Sequence, residues 1–178
     1  MLDKGIKSVR NFLEFIKEPM LAVIAALLIS QFIMAHTKIP TGSMISTINI
    51  GDHLIVNRLP YYYRDPQREE LIVFRHEGQN LIKRVIGEPG DRIDIYDGKV
   101  FINDEELDET TYIRVFESTE AQHELDFPYT VPEDYYFVMG DNRQESYDSR
   151  YFGPIHRDTI FAKGGFRIYP FDAIGIVK

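Results

Sequence analysis

Arg92-Ile-Asp-Ile-Tyr96, then Asp97-Gly98, then Lys99-Val-Phe-Ile102 is the stretch that decides the fold. Two short runs suited to strands flank an Asp-Gly pair, and Asp-Gly favours the tight mirror-image turn of a β-hairpin. Outward from it the same pattern recurs. Upstream, Asp52–Asn57 follows a Gly51 turn as an apolar-rich strand. Leu71–Phe74 reads as a short buried strand, and Asn80–Ile86 as another, stopped by Gly87-Glu-Pro-Gly-Asp91. Between them Arg58–Glu70 is polar and tyrosine-rich, an expected exposed loop. Downstream, Asn103-Asp104 closes the hairpin, and 104–130 is acidic and irregular, an expected solvated loop or small extension. Tyr135–Met139 is a further buried strand ended by Gly140, and the tail adds strands near Ile160–Ala162 and Gly165–Tyr169. Many short strands with Gly and Pro turns predict a mainly β, antiparallel domain over 37–178, with 93–130 as a hairpin plus acidic loop.

The remainder is of another kind. Met20–Ala35 is apolar and uncharged, about the shortest run that spans a bilayer, and Pro19 opens it. Residues 1–18 alternate Lys4, Lys7, Arg10 and Lys17 with Ile6, Val9, Phe12, Leu13 and Ile16, an amphipathic helical pattern. The expectation is a basic cytoplasmic segment at 1–18, a transmembrane helix at 19–36, and a domain outside. A cleaved secretory signal is the alternative, but Ile33 and Ala35 fit the small-residue cleavage pattern poorly.

At 178 residues the chain has one domain's length, and its net charge of −8 argues against a nucleic-acid partner, which would want a basic face. It has no cysteine, which excludes disulfides and thiolate chemistry. His36, His53, His76, His123 and His156 stand singly, never at ligand spacing, so no metal site is expected.

Three segments carry chemistry. Ile39-Pro-Thr-Gly-Ser-Met44 places the Ser43 hydroxyl on a turn just past the apolar run; alone it reads as an ordinary loop of turn formers. Lys83 stands inside an apolar strand with Arg84 beside it, and strand alternation points the two to opposite faces. Gly140–Arg150 follows a buried strand and is dense in polar groups: Asp141, Arg143, Ser146, Asp148, Arg150.

Together they resemble bacterial type I signal peptidase, the Ser/Lys serine endopeptidase family. The resemblance rests on Ser43-Met44 with Thr47 and Gly51-Asp52, on Lys83-Arg-Val-Ile-Gly-Glu-Pro-Gly-Asp91, on Gly140-Asp-Asn-Arg through Ser146-Tyr-Asp-Ser-Arg150, and on Phe152-Gly-Pro-Ile155. Two departures stand out: Ser46 replaces the family's proline, and Arg68-Glu-Glu70 replaces Arg-Gly-Asp. The resemblance implies Ser43 as nucleophile and Lys83 as general base. It implies Ser146 orienting the amine, and Thr41 with the Ser43 N–H binding the oxyanion. Ile39, Pro40, Met44, Ile48, Leu54 and Ile82 would line shallow pockets for small side chains. Arg84 with Asp141, and Asp148 with Arg150, would be supporting ion pairs.

No cofactor enters such a mechanism. The implied partners are signal peptides of secretory preproteins, the lipid bilayer and the protein-export machinery. The implied location is the cytoplasmic (inner) membrane. The lysine must be neutral to act, so its pKa must fall toward roughly 7–8, and the apolar neighbours Leu81, Ile82 and Val85 are placed to desolvate it. The rival readings are a catalytically inactive, membrane-tethered peptide-binding relative, a Ser/Lys protease that cleaves itself or a regulator, and a secreted β-protein whose first 35 residues are a removed signal.

Overall fold

A computed structural model describes residues 2–113, 118–121 and 125–177, with side chains of the first helix from Glu14 onward. His123, and the side chains of the basic pattern before Glu14, lie outside the described residues. Helix α1, Leu2–Leu28, runs through Pro19 rather than starting there. Proline removes one ladder hydrogen bond and leaves the others. A wider π-helical turn, Ile29–Ile33, follows, and the chain then passes without a linker into β1, Met34–Lys38. The helical span therefore stops at Ile33, short of the expected residue 36. Met34 and Ala35 are already paired with Asn57 and Val56, so strand pairing takes over from the helical ladder. Glu14–Ile33 is long and apolar enough to cross a membrane, and none of it is buried in the protein.

The remaining strands are β2 (His53–Asn57), β3 (Leu71–His76), β4 (Gln79–Gly87), β5 (Arg92–Tyr96), β6 (Lys99–Ile102), β7 (Glu105–Glu106), β8 (Tyr129–Thr130), β9 (Tyr135–Met139), β10 (Ile155–His156), β11 (Ile160–Tyr169) and β12 (Gly175–Ile176). One short helix, α2, Ser149–Phe152, precedes β10. The main sheet runs β1-β2-β11-β3-β4-β9-β10, with β12 also on β11; a smaller sheet runs β7-β6-β5-β8. All pairings are antiparallel, as the strand pattern predicts.

The two tail strands expected from sequence are one. β11 is continuous but bulged between Lys163 and Phe166 against β2. At Gly165 the backbone passes so near β2 that a Cβ would fall 2.0 Å from the Ile55 carbonyl oxygen. The bulge is possible because no side chain stands there. β7 also escapes the sequence reading. Asn103 and Asp104 both take positive φ, 52° and 71°, which makes a second tight turn of the same kind as Asp97-Gly98. Asn and Asp tolerate that region.

Apolar side chains collect in three groups. Ile39, Met44, Ile48, Leu54, Val56, Leu71 and Val73 bury one face of the main sheet, and Ile82 packs on them. Ile72, Phe74, Val85, Tyr136, Val138 and Ile155 bury the other, with Leu81 against them. Ile93, Ile95, Val100 and Ile102 of the small sheet pack on Ile86, Phe137 and Met139, which docks the hairpin unit onto the main sheet. The Arg58–Glu70 segment is less exposed than its composition implies. Tyr61 is buried, and Glu70 accepts from Tyr61 Oη (3.0 Å), Arg64 Nη2 (2.6 Å) and Lys163 Nζ (2.7 Å).

Candidate active site

The Ser43 loop is an excursion from the β1–β2 hairpin. The Ile39 N–H donates to the Asp52 carbonyl and the Gly51 N–H to the Ile39 carbonyl, both at 2.9 Å, so the ladder closes the base of the loop. Within it the N–H groups of Thr47 and Ile48 both return to the Met44 carbonyl, a single helical turn. Met44 and Ile48 are driven into the core by that turn, and Ser43 is held at the rim, 8% exposed. Asn142 secures the loop from the other side. Its N–H donates to the Ser43 carbonyl and its side-chain Nδ2 to the Gly42 carbonyl, each at 3.1 Å.

Lys83 stands opposite Ile72 in the β3–β4 pairing, and Nζ lies 2.5 Å from Ser43 Oγ. The lysine is 3% exposed. On its face of β4 stand Leu81 and Val85, members of the same apolar group as Ile72 and Phe74. Burial pushes its pKa down, Asp148 and Asp141 draw it up, and Arg150 lowers it; the outcome is about 8. Desolvation outweighs the two carboxylates because each already has an arginine.

Arg84 points the other way. It grips Asp141 through two nitrogens, Nε–Oδ1 at 2.8 Å and Nη2–Oδ2 at 2.6 Å, and donates through Nη1 to the Glu69 carbonyl at 2.8 Å. Thr47 Oγ1 donates to the same Asp141 at 2.5 Å, which ties the Ser43 loop to this pair. Asp148 and Arg150 form a second forked pair, both contacts at 2.9 Å, and Asp148 Oδ2 accepts from the Gly140 N–H at 3.0 Å. Arg150 reaches the Arg143 carbonyl, and Arg143 Nε reaches the Gly140 carbonyl. The polar loop is thus cross-tied to itself and to β9.

Gly140 is where these segments meet. A Cβ there would lie 2.3 Å from Ser146 Oγ and 2.4 Å from the Ser43 carbonyl oxygen. Only glycine lets the Ser43 backbone and the Ser146 side chain come so close to this strand end. Ser146 is therefore beside the site and buried, yet its hydroxyl has no hydrogen-bond partner among the described residues, Lys83 included. The Thr41 side chain is exposed and has no hydrogen bond among the described residues; the N–H of the buried Ser43 likewise has none. Of the six expected pocket residues, Ile39, Met44, Ile48 and Leu54 are buried in the core, while Pro40 is exposed and Ile82 partly so. The surface near Ser43 thus offers Pro40 and Ile82, with the other four as the floor beneath.

The acidic 104–130 stretch is not merely solvated. Glu109 pairs with Arg143 through both guanidinium nitrogens, one contact at 2.9 Å, and Thr119 Oγ1 accepts from Arg143 at 3.0 Å. Tyr112 is 4% exposed and lies over the Arg84 guanidinium, 4.1 Å to the ring centre. Its carbonyl accepts from Ser46 Oγ at 3.0 Å. Glu109, Tyr112 and Asn142 are the site residues that sequence reasoning missed. For Asn142 the polar density of its loop is the only signal. For the other two there is none, because their partners lie far away in sequence.

The profile of the family described as "Signal peptidase, peptidase S26" matches residues 12–169. A probable signal peptidase I-2 of Synechocystis sp. is 36% identical over 175 residues, 94% of this chain and 78% of that protein. Signal peptidase I S of Bacillus subtilis is 31% identical over 179 residues, 97% of each chain. A crystal structure of a signal peptidase I from Enterococcus faecalis is 35% identical, covers 56% of this chain and 96% of that one, and has a TM-score of 0.44. The family match takes in the Ser43 loop, the Lys83 strand and the Gly140 loop alike: this chain belongs to the signal peptidase family, peptidase S26, and is a serine endopeptidase.

Proposed function

We propose that the chain is a membrane-bound endopeptidase that cleaves N-terminal signal peptides from translocated precursors after a small-x-small motif, with Ser43 and Lys83 as its dyad. The observation that supports this most is the 2.5 Å approach of Lys83 Nζ to Ser43 Oγ inside a buried, apolar-walled site. In the neutral form the amine accepts the Ser43 proton as Oγ attacks the scissile carbonyl. The developing oxyanion is met by the Ser43 N–H and the Thr41 hydroxyl. Lys83 then returns the proton to the leaving amine as the C–N bond breaks. Water, deprotonated by the same lysine, attacks the acyl carbon, and the lysine returns that proton to Ser43 Oγ as the ester C–O bond breaks. Ser146 Oγ, buried without a hydrogen-bond partner among the described residues, is the acceptor for the ammonium form of Lys83 between these steps.

The substrate enters as an extended strand over Pro40 and Ile82, beside β4. In this reading Glu14–Ile33 anchors the chain in the cytoplasmic membrane, the N-terminus is cytoplasmic, and residues 37–178 work on the outer face next to the export machinery. The catalytically inactive, peptide-binding relative is the alternative. Processing of a secretory precursor by wild type beside Ser43→Ala decides between them: mature product from wild type alone is expected, and none from either rejects the peptidase.

The pH dependence follows from the same pair. Activity on a short peptide rises with pH through about 8, where Lys83 loses its proton. Lys83→Arg is expected to be inert, because guanidinium stays charged. A folded, active Lys83→Arg protein would exclude the dyad. Ser146→Ala is expected to lower kcat more than it raises KM, since it disturbs the amine and no pocket.

A further inference from the structure

The end of the main sheet from which α1 departs carries a second recess, of about 500 Å³, lined by Arg58, Arg75, Asn80, Asp158, Thr159 and Phe161. Three of them stand in strands, Arg75 in β3, Asn80 in β4 and Phe161 in β11, and the other three in the connections beside them, at one edge of the domain. Arg58 follows β2, whose last residue, Asn57, pairs with Met34 at the helix exit. Arg75 pairs with Asn80 near the β3–β4 turn. Thr159 and Phe161 flank Ile160, the first residue of β11, which pairs with Phe74. The Ser43 loop is at the opposite end of the β1–β2 hairpin.

Two hydrogen bonds set the depth of this recess relative to the span. The Arg58 N–H donates to the Ile33 carbonyl at 2.8 Å, and Arg58 Nη1 to the Gln31 carbonyl at 2.5 Å. Gln31 and Ile33 are the last residues of the candidate span. If that span is seated in a bilayer, the Arg58 guanidinium lies where hydrocarbon gives way to headgroups, whichever way the chain is oriented.

The chemistry of the lining suits that depth. The Arg58 guanidinium sits 5.5 Å from the centre of the Phe161 ring, and its Nε is buried without a hydrogen-bond partner among the described residues. Arg75 is exposed and makes no ion pair among the described residues. Asp158 is the one carboxylate in the lining; its side chain is 88% exposed and lies 3.6 Å from His156. Two guanidiniums therefore face one solvated carboxylate, with an amide and a hydroxyl beside them. Arginines favour phosphate through paired N–H donors. Isolated basic residues near a span end commonly serve only as diffuse attraction to the surface. Here they border a recess with an aromatic wall.

We infer that this recess binds the phosphodiester headgroup of a membrane phospholipid through Arg58 and Arg75, with Asn80 at its edge. The inference rests on the membrane-span reading above and not on the catalytic one. A bound headgroup would clamp the domain edge to the bilayer surface.

The test uses the full chain in detergent, observed by native mass spectrometry with added dioleoylphosphatidylglycerol, dioleoylglycerol or inorganic phosphate. Wild type is expected to retain the phospholipid and not the diacylglycerol. Arg75→Gln and Asn80→Ala are each expected to weaken retention, about tenfold for the arginine, which contributes a charge-assisted contact. Arg58 also ties the helix end, so the exposed Arg75 carries the decision, and Arg75→Lys should restore part of the loss. Equal retention of both lipids, or unchanged retention in Arg75→Gln, overturns the inference. Binding of inorganic phosphate without the lipid overturns it too, because the ligand would then be a soluble anion. Ser43-dependent cleavage of a short peptide in the same detergent tests the peptidase reading separately. Release of the chain from membranes by carbonate would reject the span.

Discussion

Lys83 is a charge-bearing side chain placed where a charge is expensive. Its pKa, held near 8 by burial, means that the folded protein strains to keep the proton that the unfolded chain holds up to about 10.5. The sign follows from linkage. Between these values the unfolded chain binds more protons than the folded one, so this group makes stability rise with pH across the window. At pH 7 the buried ammonium costs roughly 3 kcal/mol. Lys83→Met, which removes the titration, is therefore expected to stabilise the protein at pH 7. The advantage over wild type should shrink by about 2.5 kcal/mol by pH 10. Urea denaturation of both proteins at the two pH values measures this, and a constant difference would show that Lys83 is not desolvated. By itself a lysine in an apolar strand reads as solvated; Lys83 stood out in the sequence only through the family resemblance of the segments around it. The same resemblance pointed to Ser146, but not to its hydroxyl being buried with no hydrogen-bond partner among the described residues, which follows from the close packing at Gly140.

At the scale of elements, the acidic segment braces the loops of the candidate site. Through Glu109 and Thr119 it holds Arg143, whose side chain is fully buried; through Tyr112 it covers Arg84 and receives Ser46. Glu109→Ala leaves the Arg143 guanidinium buried with less compensation, and a loss of roughly 3 kcal/mol is expected in chemical denaturation. Glu109→Gln keeps hydrogen bonds and should lose less. Ser46→Ala should cost about 1 kcal/mol, because it removes one net hydrogen bond. These contacts could not be read from sequence. The strands announce themselves through local composition and turns, as Asp97-Gly98 does. Glu109 and Arg143 meet only after two sheets have formed and docked, and nothing near either residue names the other. The same reason hides the buried side of Arg58–Glu70, where Glu70 gathers three donors from distant positions. Burial works against its ionisation, but bonds from Arg64, Lys163 and Tyr61 prevail and hold its pKa at about 2. Stability from this carboxylate is full above the ordinary value of 4.5 and is lost as pH falls toward 2. Glu70→Gln should therefore narrow its gap to wild type in acid.

For the whole molecule, the decisive property is the division between one uncovered apolar helix and a β domain that buries its own core. The division was plain in the sequence, from Met20–Ala35 against the strands that follow. The exact end of the helix was not, because pairing of Met34 with Asn57 belongs to the sheet. The basic residues before the span predict an N-in orientation. A reporter fused after Lys178 should be active only outside the cytoplasm, and cytoplasmic activity would reverse the assignment.

The passage from Ile33 directly into β1 has one more consequence. A peptidase on a slack tether samples a hemisphere; one whose strand begins where its helix ends has no such play. With the helix in a bilayer, Ser43, the proposed nucleophile, travels in a plane at constant height and meets targets by lateral diffusion. Its rate then follows the number of enzyme and target molecules per unit of lipid area, not per unit of volume. Added empty vesicles that fuse with the loaded ones should slow processing at unchanged bulk concentration. Added buffer should not.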